Sequence, residues 1–378
     1  MIDGLLPADA ATGTFLGRVW RPDLGGPSLV TLRGGIVVDV TSAAAPTVSA
    51  LLERDDATQY VQGAPGETLG PVAKLGAGIA LLAPCDLQVV KACGVTFAQS
   101  MLERVIEERA AGDPDLAEQV RTEVTAIIGG SLRQVVAGSD AAARVKEALI
   151  EKGIWSQYLE VGIGPDAEVF TKAPVLSSVG LGADIGLHPI STWNNPEPEI
   201  VLAVNSRGEI KGASLGNDVN LRDVEGRSAL LLGKAKDNNA SCSIGPFIRL
   251  VDDGYSLDDV RQADLDMEVT GADGFVLKGH STMREISRDP VDLVAATCGA
   301  HHQYPDGFVL FLGTLFAPTE DRDAPGQGFT HHLGDVARIW NDRLGTLKNT
   351  VRLSTECPQW EFGMGALMWN LAERGLLG

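Results

Sequence analysis

The segment Asn195-Pro196-Glu197-Pro198-Glu199-Ile200-Val201-Leu202-Ala203-Val204 sets two carboxylates at the head of an apolar run. Successive side chains of a β-strand alternate between faces. Glu197 and Glu199 should therefore project together, and Ile200, Leu202 and Val204 the other way. Two adjacent carboxylates repel unless a shared proton or a divalent cation with oxygen ligands neutralises them. A third acid, Asp218, follows in Gly216-Asn217-Asp218-Val219-Asn220-Leu221-Arg222-Asp223. Mg2+ prefers octahedral oxygen ligation and keeps several waters for exchange with substrate, so three carboxylates from two strands would supply half its shell. A Glu-x-Glu pair alone is weak evidence, because exposed strand faces often carry one. Its position after Asn194-Asn195-Pro196, at the start of an apolar strand, strengthens it.

Three further stretches could share that site. Leu232 to Phe247, which contains Lys236, mixes small and polar residues with hydrophobic ones, as a cavity wall does. A lysine beside a cation can lose proton affinity and act as a base. Asp166-Ala167-Glu168-Val169-Phe170-Thr171-Lys172-Ala173-Pro174 puts an acid and a lysine before an apolar strand. Phe311-Leu312-Gly313-Thr314-Leu315 ends a strand with a hydroxyl and backbone N–H groups that could hold a carboxylate. The pairs His301-His302 and His331-His332 read as structural or surface residues, since adjacent side chains diverge on a helix or a strand. No G-x-S-x-G elbow surrounds Ser241, and neither a G-x-G-x-x-G after a strand nor a P-loop occurs.

The elements that must position these residues fall into two parts. A chain of 378 residues is long enough for two domains. Residues 1–155 read as an N-terminal domain, β-rich and then helical, and residues 156–378 as the catalytic domain. Strands are expected over Thr14 to Trp20, Ser28 to Leu32 and Gly35 to Val40, the last two as a hairpin around Arg33-Gly34. Further strand is expected at Ile79 to Leu82 and Leu87 to Val90. A helix is expected over Pro46 to Glu53, and a Gly/Pro-rich loop near Gln62 to Gly70. Phe97, Met101 and Val105 recur at helical spacing, Asp113-Pro114 looks like a second helix start running to Ile128, and Ser139 or Asp140 caps a third that ends at Gly153. Beyond Ile154 the pattern turns to short strands, among them Glu199 to Val204, Phe275 to Leu277 and Phe308 to Leu312, with one helix from Asp289 to His301.

The net charge of −19 argues against a nucleic-acid partner or an anionic membrane. The five cysteines lack metal-ligand spacing and read as reduced thiols. Met1-Ile2-Asp3-Gly4 does not begin a signal peptide, and the longest apolar run, Leu75 to Ala83, is too short to span a bilayer. A cytoplasmic protein is expected.

From about Val161 onward the chain resembles the fumarylacetoacetate hydrolase superfamily. The resemblance rests on an ordered series over roughly 200 residues. It runs Phe170-Thr171-Lys172-Ala173-Pro174; Glu197-Pro198-Glu199; Asn217 to Asp223; Lys236 six residues before Cys242; Leu312-Gly313-Thr314; Gly334-Asp335-Val336; and Leu344 to Thr350. It implies an α+β fold whose C-terminal part is a mixed β-roll, assembled as a homodimer or homotetramer. It implies Mg2+ or Mn2+ held by Glu197, Glu199 and Asp218, chelating a small 2-oxo acid, with Lys236 and Thr314 lining the substrate. Within the same motifs Lys172, Asn220 and Arg222 are expected to contact substrate.

Many hydrolases of that family follow the early Gly-rich strand with Asn-Tyr-x-x-His. Here Gly162-Ile163-Gly164 is followed by Pro165-Asp166-Ala167-Glu168, without the histidine. Glu168 resembles the acid of the 2-keto-3-deoxy-D-arabinonate dehydratase branch. That resemblance implies Mg2+-dependent dehydration of a 2-keto-3-deoxypentonate to 2,5-dioxopentanoate in non-phosphorylative pentose catabolism, with Glu168 and Lys236 as the catalytic pair. Two alternatives stay open: a hydrolase that cleaves a C–C bond of acylpyruvates or 2,4-diketo-3-deoxy sugar acids, and a non-catalytic binding module.

Overall fold

The run Ile200-Val201-Leu202-Ala203-Val204 is apolar at every position, as a strand covered on both faces requires. The computed structural model describes residues 4–75, 78–97, 122, 135–316, 318, 320–324 and 328–377, and in it this run is a fully buried strand. The described strands are β1 (Phe15–Arg21), β2 (Gly26–Arg33), β3 (Ile36–Asp39), β4 (Glu67–Pro71), β5 (Leu81–Leu82), β6 (Val89–Gly94), β7 (Glu168–Ala173) and β8 (Asp184–Leu187). They continue with β9 (Pro198–Val204), β10 (Ile210–Asp218), β11 (Cys242–Leu250), β12 (Asp264–Thr270), β13 (Val276–Thr282), β14 (Phe308–Phe311), β15 (Val336–Asn341) and β16 (Gly345–Leu353). The described α-helices are α1 (Val48–Leu52), α2 (Ala57–Gly63), α3 (Asp140–Glu151), α4 (Gln157–Ile163), α5 (Arg222–Glu225), α6 (Leu232–Lys236), α7 (Leu257–Arg261), α8 (Pro290–Thr297) and α9 (Met364–Glu373).

The strands form two sheets. The larger has eleven strands in the order β4-β3-β2-β1-β11-β10-β9-β14-β6-β7, with β5 pairing β1; the smaller runs β13-β12-β15-β16-β8. Hydrogen bonding crosses residue 155: β1 pairs with β11, and β6 lies between β14 and β7. A division into two domains there is our proposal. Strand β9 separates two apolar clusters. Ile200, Leu202 and Val204 join Phe308 and Leu310 on one face, and Val201 joins Val309 and Phe311 on the other.

Local chemistry explains much of this. The β2–β3 hairpin turns through Gly34 and Gly35, at φ 56° and 78°, the left-handed pair that a two-residue hairpin turn needs. Ser139 caps α3, its Oγ accepting from Ala142 N at 3.2 Å, and Gly153 follows the helix at φ 65°. Asp289 caps α8 ahead of Pro290, and that helix stops at Thr297, short of the expected His301. The helices expected over 97–108 and 116–128 lie, apart from Phe97 and Thr122, outside the described residues. Phe97 itself forms a β-bridge with Ile286. The stretch read as a loop from Gln62 to Gly70 instead closes α2 and opens β4, and Glu168 to Ala173 is itself a strand rather than the approach to one. None of the described helices is long and apolar enough to cross a membrane.

Candidate active site

Antiparallel pairing of β9 with β10 sets Glu199 opposite Gly216, and the Asp218 N–H reaches the Glu197 carbonyl at 3.0 Å. The alternation of each strand then points Glu197, Glu199 and Asp218 to one place. One carboxylate oxygen from each lies within 4.8 Å of the others, and all three side chains are buried. Among the described residues this is the cluster with metal-ligand proximity, and no histidine belongs to it.

Two lysines answer the three carboxylates. Lys236, closing α6, places Nζ 2.5 Å from Glu197 Oε2 and 3.1 Å from Asp218 Oδ2. Lys172, on β7, places Nζ 2.8 Å from Asp218 Oδ1. Glu199 accepts the Gly313 N–H at 2.7 Å. Burial, and then the charges of Asp218 and Glu197, push the Glu199 carboxyl well above the usual carboxylate range. Burial raises Glu197 as well, against the pull of Lys236. Burial would also raise Asp218, but Lys172 and Lys236 outweigh it and hold that carboxyl low. For Lys236 burial favours the neutral amine, and Asp218 and Glu197 override it, so its ammonium is held above its ordinary range. A divalent cation fits this donor set: hard oxygen ligands, buried, with more negative than positive charge and Glu199 facing like charges.

The cluster forms part of the wall of a cavity of about 400 Å³, to which Lys236, Glu168, Phe170, Gly313 and Thr314 also contribute. Glu168 opens β7 opposite Gly94 of β6, and a Cβ at Gly94 would collide with its carboxylate. Thr314 donates from Oγ1 to the Pro198 carbonyl at 3.0 Å. The structure therefore brings Glu168, Glu197, Glu199, Asp218, Lys236 and Thr314 to one cavity. It does not bring the other three expected substrate contacts there, as far as the described lining goes. Lys172 is fully buried behind Asp218. Asn220 is fully buried and donates from Nδ2 to Glu197 Oε1 at 3.0 Å and Glu225 Oε2 at 2.6 Å. Arg222 stacks its guanidinium 4.4 Å above the Trp193 ring.

Several contributors were not singled out from sequence. Glu225 lines the cavity and is bridged through Asn220 to Glu197. Asn217 orders the strand start by accepting the Glu197 N–H on Oδ1 at 3.0 Å. Helix α4 contributes Gln157, Tyr158 and Val161, and the turn after α5 contributes Arg227 and Ser228. Only Asn217 stood within a recognisable motif. The histidines lie elsewhere: His331 is buried against Asp335, with Nδ1 3.2 Å from Oδ2, and none of the six lines the cavity.

Comparison with known proteins agrees with the geometry. The family model for the fumarylacetoacetate (FAA) hydrolase C-terminal domain matches residues 165–352. The chain is 31% identical over 201 residues to a protein of Haloferax volcanii named "Probable 2-keto-3-deoxyxylonate dehydratase", covering 53% of this chain and 65% of the relative. It is 27% identical over 188 residues to the 2-dehydro-3-deoxy-D-arabinonate dehydratase of Saccharolobus solfataricus, covering 49% of this chain and 58% of the relative. The alignments thus span less than two thirds of either relative. In fold, the chain is similar to a 2-keto-3-deoxy-D-arabinonate dehydratase solved with magnesium and 2,5-dioxopentanoate. The TM-score is 0.63 at 19% identity, over 90% of this chain and 99% of the other. Residues 165–352 form a fumarylacetoacetate hydrolase family domain.

Proposed function

We propose that this chain is a metal-dependent hydro-lyase that removes water from a 2-keto-3-deoxypentonate and yields 2,5-dioxopentanoate. The observation that carries the reading is the convergence of three buried carboxylates, Lys236 and Glu168 on one cavity. The names of the two relatives, and the ligands of the structurally similar dehydratase, support it.

In this reading Glu197, Glu199 and Asp218 hold Mg2+ or Mn2+, which when bound polarises the 2-keto group and stabilises negative charge developing on it. Lys236, whose ammonium Asp218 and Glu197 hold while those carboxylates are free of a cation, takes the proton that leaves C3 as the neutral amine that a neighbouring cation would favour. The electron pair of that C–H bond forms the C3–C4 double bond as the C4–O bond breaks. Glu168 supplies the proton with which the C4 hydroxyl departs as water. A proton then moves from C5 to C3 as the double bond shifts to C4–C5, and the resulting enol passes its hydroxyl proton to C4 to give the aldehyde; the balance is one water lost. Thr314 and the Gly313 segment would orient the carboxylate end of the substrate. The same reading takes a small 2-oxo acid as the ligand and a homodimer or homotetramer as the working form.

Hydrolysis of an acylpyruvate is the competing reading. It needs a water-activating histidine dyad, and no histidine of the chain is among the residues lining the cavity. The deciding experiment incubates the protein with D- and L-2-keto-3-deoxypentonate and Mg2+, coupled to a semialdehyde dehydrogenase, with pyruvate assayed in parallel. Semialdehyde from one isomer is the expected result. Pyruvate would favour the hydrolase, and neither product from either isomer would remove the reading.

A further inference from the structure

In the sheet, the wall of the cavity that carries Glu168 joins the metal-ligand strands through β6 and β14, which separate β7 from β9. It begins with α4, continues through Gly164-Pro165-Asp166-Ala167 and enters β7 at Glu168. Among the described residues, a side chain from the C-terminal half of the molecule grips the backbone of this connection. Arg288, just before α8, donates from Nη2 to the carbonyls of Val161 at 2.8 Å, Gly164 at 2.7 Å and Asp166 at 3.2 Å. It is 8% exposed, and among the described residues it forms no ion pair. Burial lowers its proton affinity, with Asp166 the largest opposing influence. A guanidinium buried without a carboxylate is costly unless its donors are used. Here Nη2 meets three carbonyls of one short connection past a helix C-terminus, while Nε has no hydrogen-bond partner among the described residues.

The base of Arg288 is itself anchored toward the metal-ligand strands. Ser287 donates from both N and Oγ to the Thr96 carbonyl at 2.7 Å. Thr96 Oγ1 in turn donates to the Leu312 carbonyl at 2.6 Å. The next residue, Gly313, gives its N–H to Glu199. A short path of hydrogen bonds and chain neighbours therefore runs from the carbonyls ahead of Glu168, through Arg288, Ser287, Thr96, Leu312 and Gly313, to a carboxylate of the acidic cluster.

We propose that Arg288 is a positioning residue: it fixes the α4–β7 connection so that Glu168 faces the acidic cluster at the separation the chemistry requires. The inference rests on the dehydratase reading for the role of Glu168, and on geometry alone for the anchoring. Misplacement of a reacting group by about 1 Å can cost about 100-fold in rate. Loss of these contacts should therefore lower kcat on that order and leave Mg2+ affinity, set by the β9 and β10 carboxylates, within about twofold.

The test is a double-mutant cycle on kcat with R288M, E168Q and the pair, alongside Mg2+ titration by calorimetry. Residues acting as one unit are non-additive. E168Q/R288M should therefore be no slower than E168Q alone, within about twofold, while R288M alone loses kcat with KM for Mg2+ unchanged. R288K keeps the charge but not the planar guanidinium, and should recover part of the rate. Multiplicative losses in the double variant, or wild-type kcat in R288M, would overturn the proposal. Hydrogen exchange on the metal-free protein supplies a readout independent of turnover and of refolding yield. Amides 157–168 should exchange faster in both R288M and R288K, with β9 and β10 unchanged; unchanged exchange in 157–168 would also overturn it. Absence of turnover in the wild type would sink the dehydratase reading and leave the exchange result to decide the anchoring.

Discussion

Lys172 Nζ sits 2.8 Å from Asp218 Oδ1, and both side chains are buried. Lys172 also donates to the Val219 carbonyl at 3.2 Å and to the Lys236 carbonyl, so one ammonium fastens the end of β10 to the end of α6. Its position behind Asp218 makes it a counter-charge for the acidic cluster instead of a substrate contact. Replacing one partner of a buried pair strands the other charge, at a cost of about 3–5 kcal/mol. K172M should therefore lose stability on that scale in urea unfolding, and added Mg2+ should recover part of it. A K172M protein of native stability with a raised KM would instead put Lys172 against substrate.

Glu199 has the opposite problem. It is buried beside Glu197 and Asp218 and is bonded by the Gly313 N–H rather than by a lysine ammonium. Glutamine keeps the acceptor for Gly313 and removes a repelled charge. E199Q should melt at a temperature equal to or above wild type without metal. It should also bind Mg2+ more than about tenfold more weakly, since even outer-shell changes at metal sites reach that range. Paired melting curves with and without Mg2+ measure both effects. A lower metal-free melting temperature with intact Mg2+ affinity would mean that Glu199 serves structure and not the cation.

Much of this site was visible in period and spacing. Glu197 and Glu199 at i and i+2 ahead of an apolar run dictated a shared face, and their pairing with β10 supplied Asp218 at the right height. The Gly34-Gly35 turn and the Ser139 cap were legible because each is decided within four residues. What escaped depends on contacts distant in sequence. Nothing local says that β6 inserts between β14 and β7, that Lys172 ends behind Asp218, or that Arg288 reaches back more than a hundred residues. Helix α4, of seven residues, and α6, of five, are too short to show a period; packing makes them helical.

Away from the cavity, Arg249 is buried and grips Asp252 with both arms, Nη1 to Oδ2 at 2.5 Å and Nη2 to Oδ1 at 3.0 Å. Burial alone would raise the Asp252 carboxyl. Arg249, with the N–H groups of Thr14 and Gly254, outweighs it and holds the group down at about 2. A carboxyl whose folded value lies below its unfolded value of about 3.9 adds stability above that value and loses it as pH falls through the folded one. Wild type should therefore lose stability between about pH 4 and pH 2 more steeply than D252N, whose amide does not titrate there. Urea midpoints measured across that window check this. Parallel pH curves for the two proteins would show that the pair contributes nothing.

Gly94 faces Glu168 across the β6–β7 pair, and the atoms that an added Cβ would strike first belong to the Glu168 carboxylate and its carbon. The obstruction is the far end of a flexible side chain, so G94A can be accommodated by turning that carboxylate aside rather than by moving backbone. Gly94 does not hold a positive φ, and alanine narrows the unfolded ensemble, so stability should stay within about 1 kcal/mol of wild type. The cluster of Glu197, just before β9, with Glu199 on β9 and Asp218 on β10, is untouched, so Mg2+ affinity should also hold. Turnover of the 2-keto-3-deoxypentonate should fall about 100-fold, the scale set by a misplaced reacting group. Steady-state kinetics, calorimetric Mg2+ titration and thermal melting on one preparation separate these outcomes. Wild-type kcat in folded, metal-competent G94A would show that the position of the Glu168 carboxylate does not matter to the reaction, and E168Q would then be expected to turn over as well.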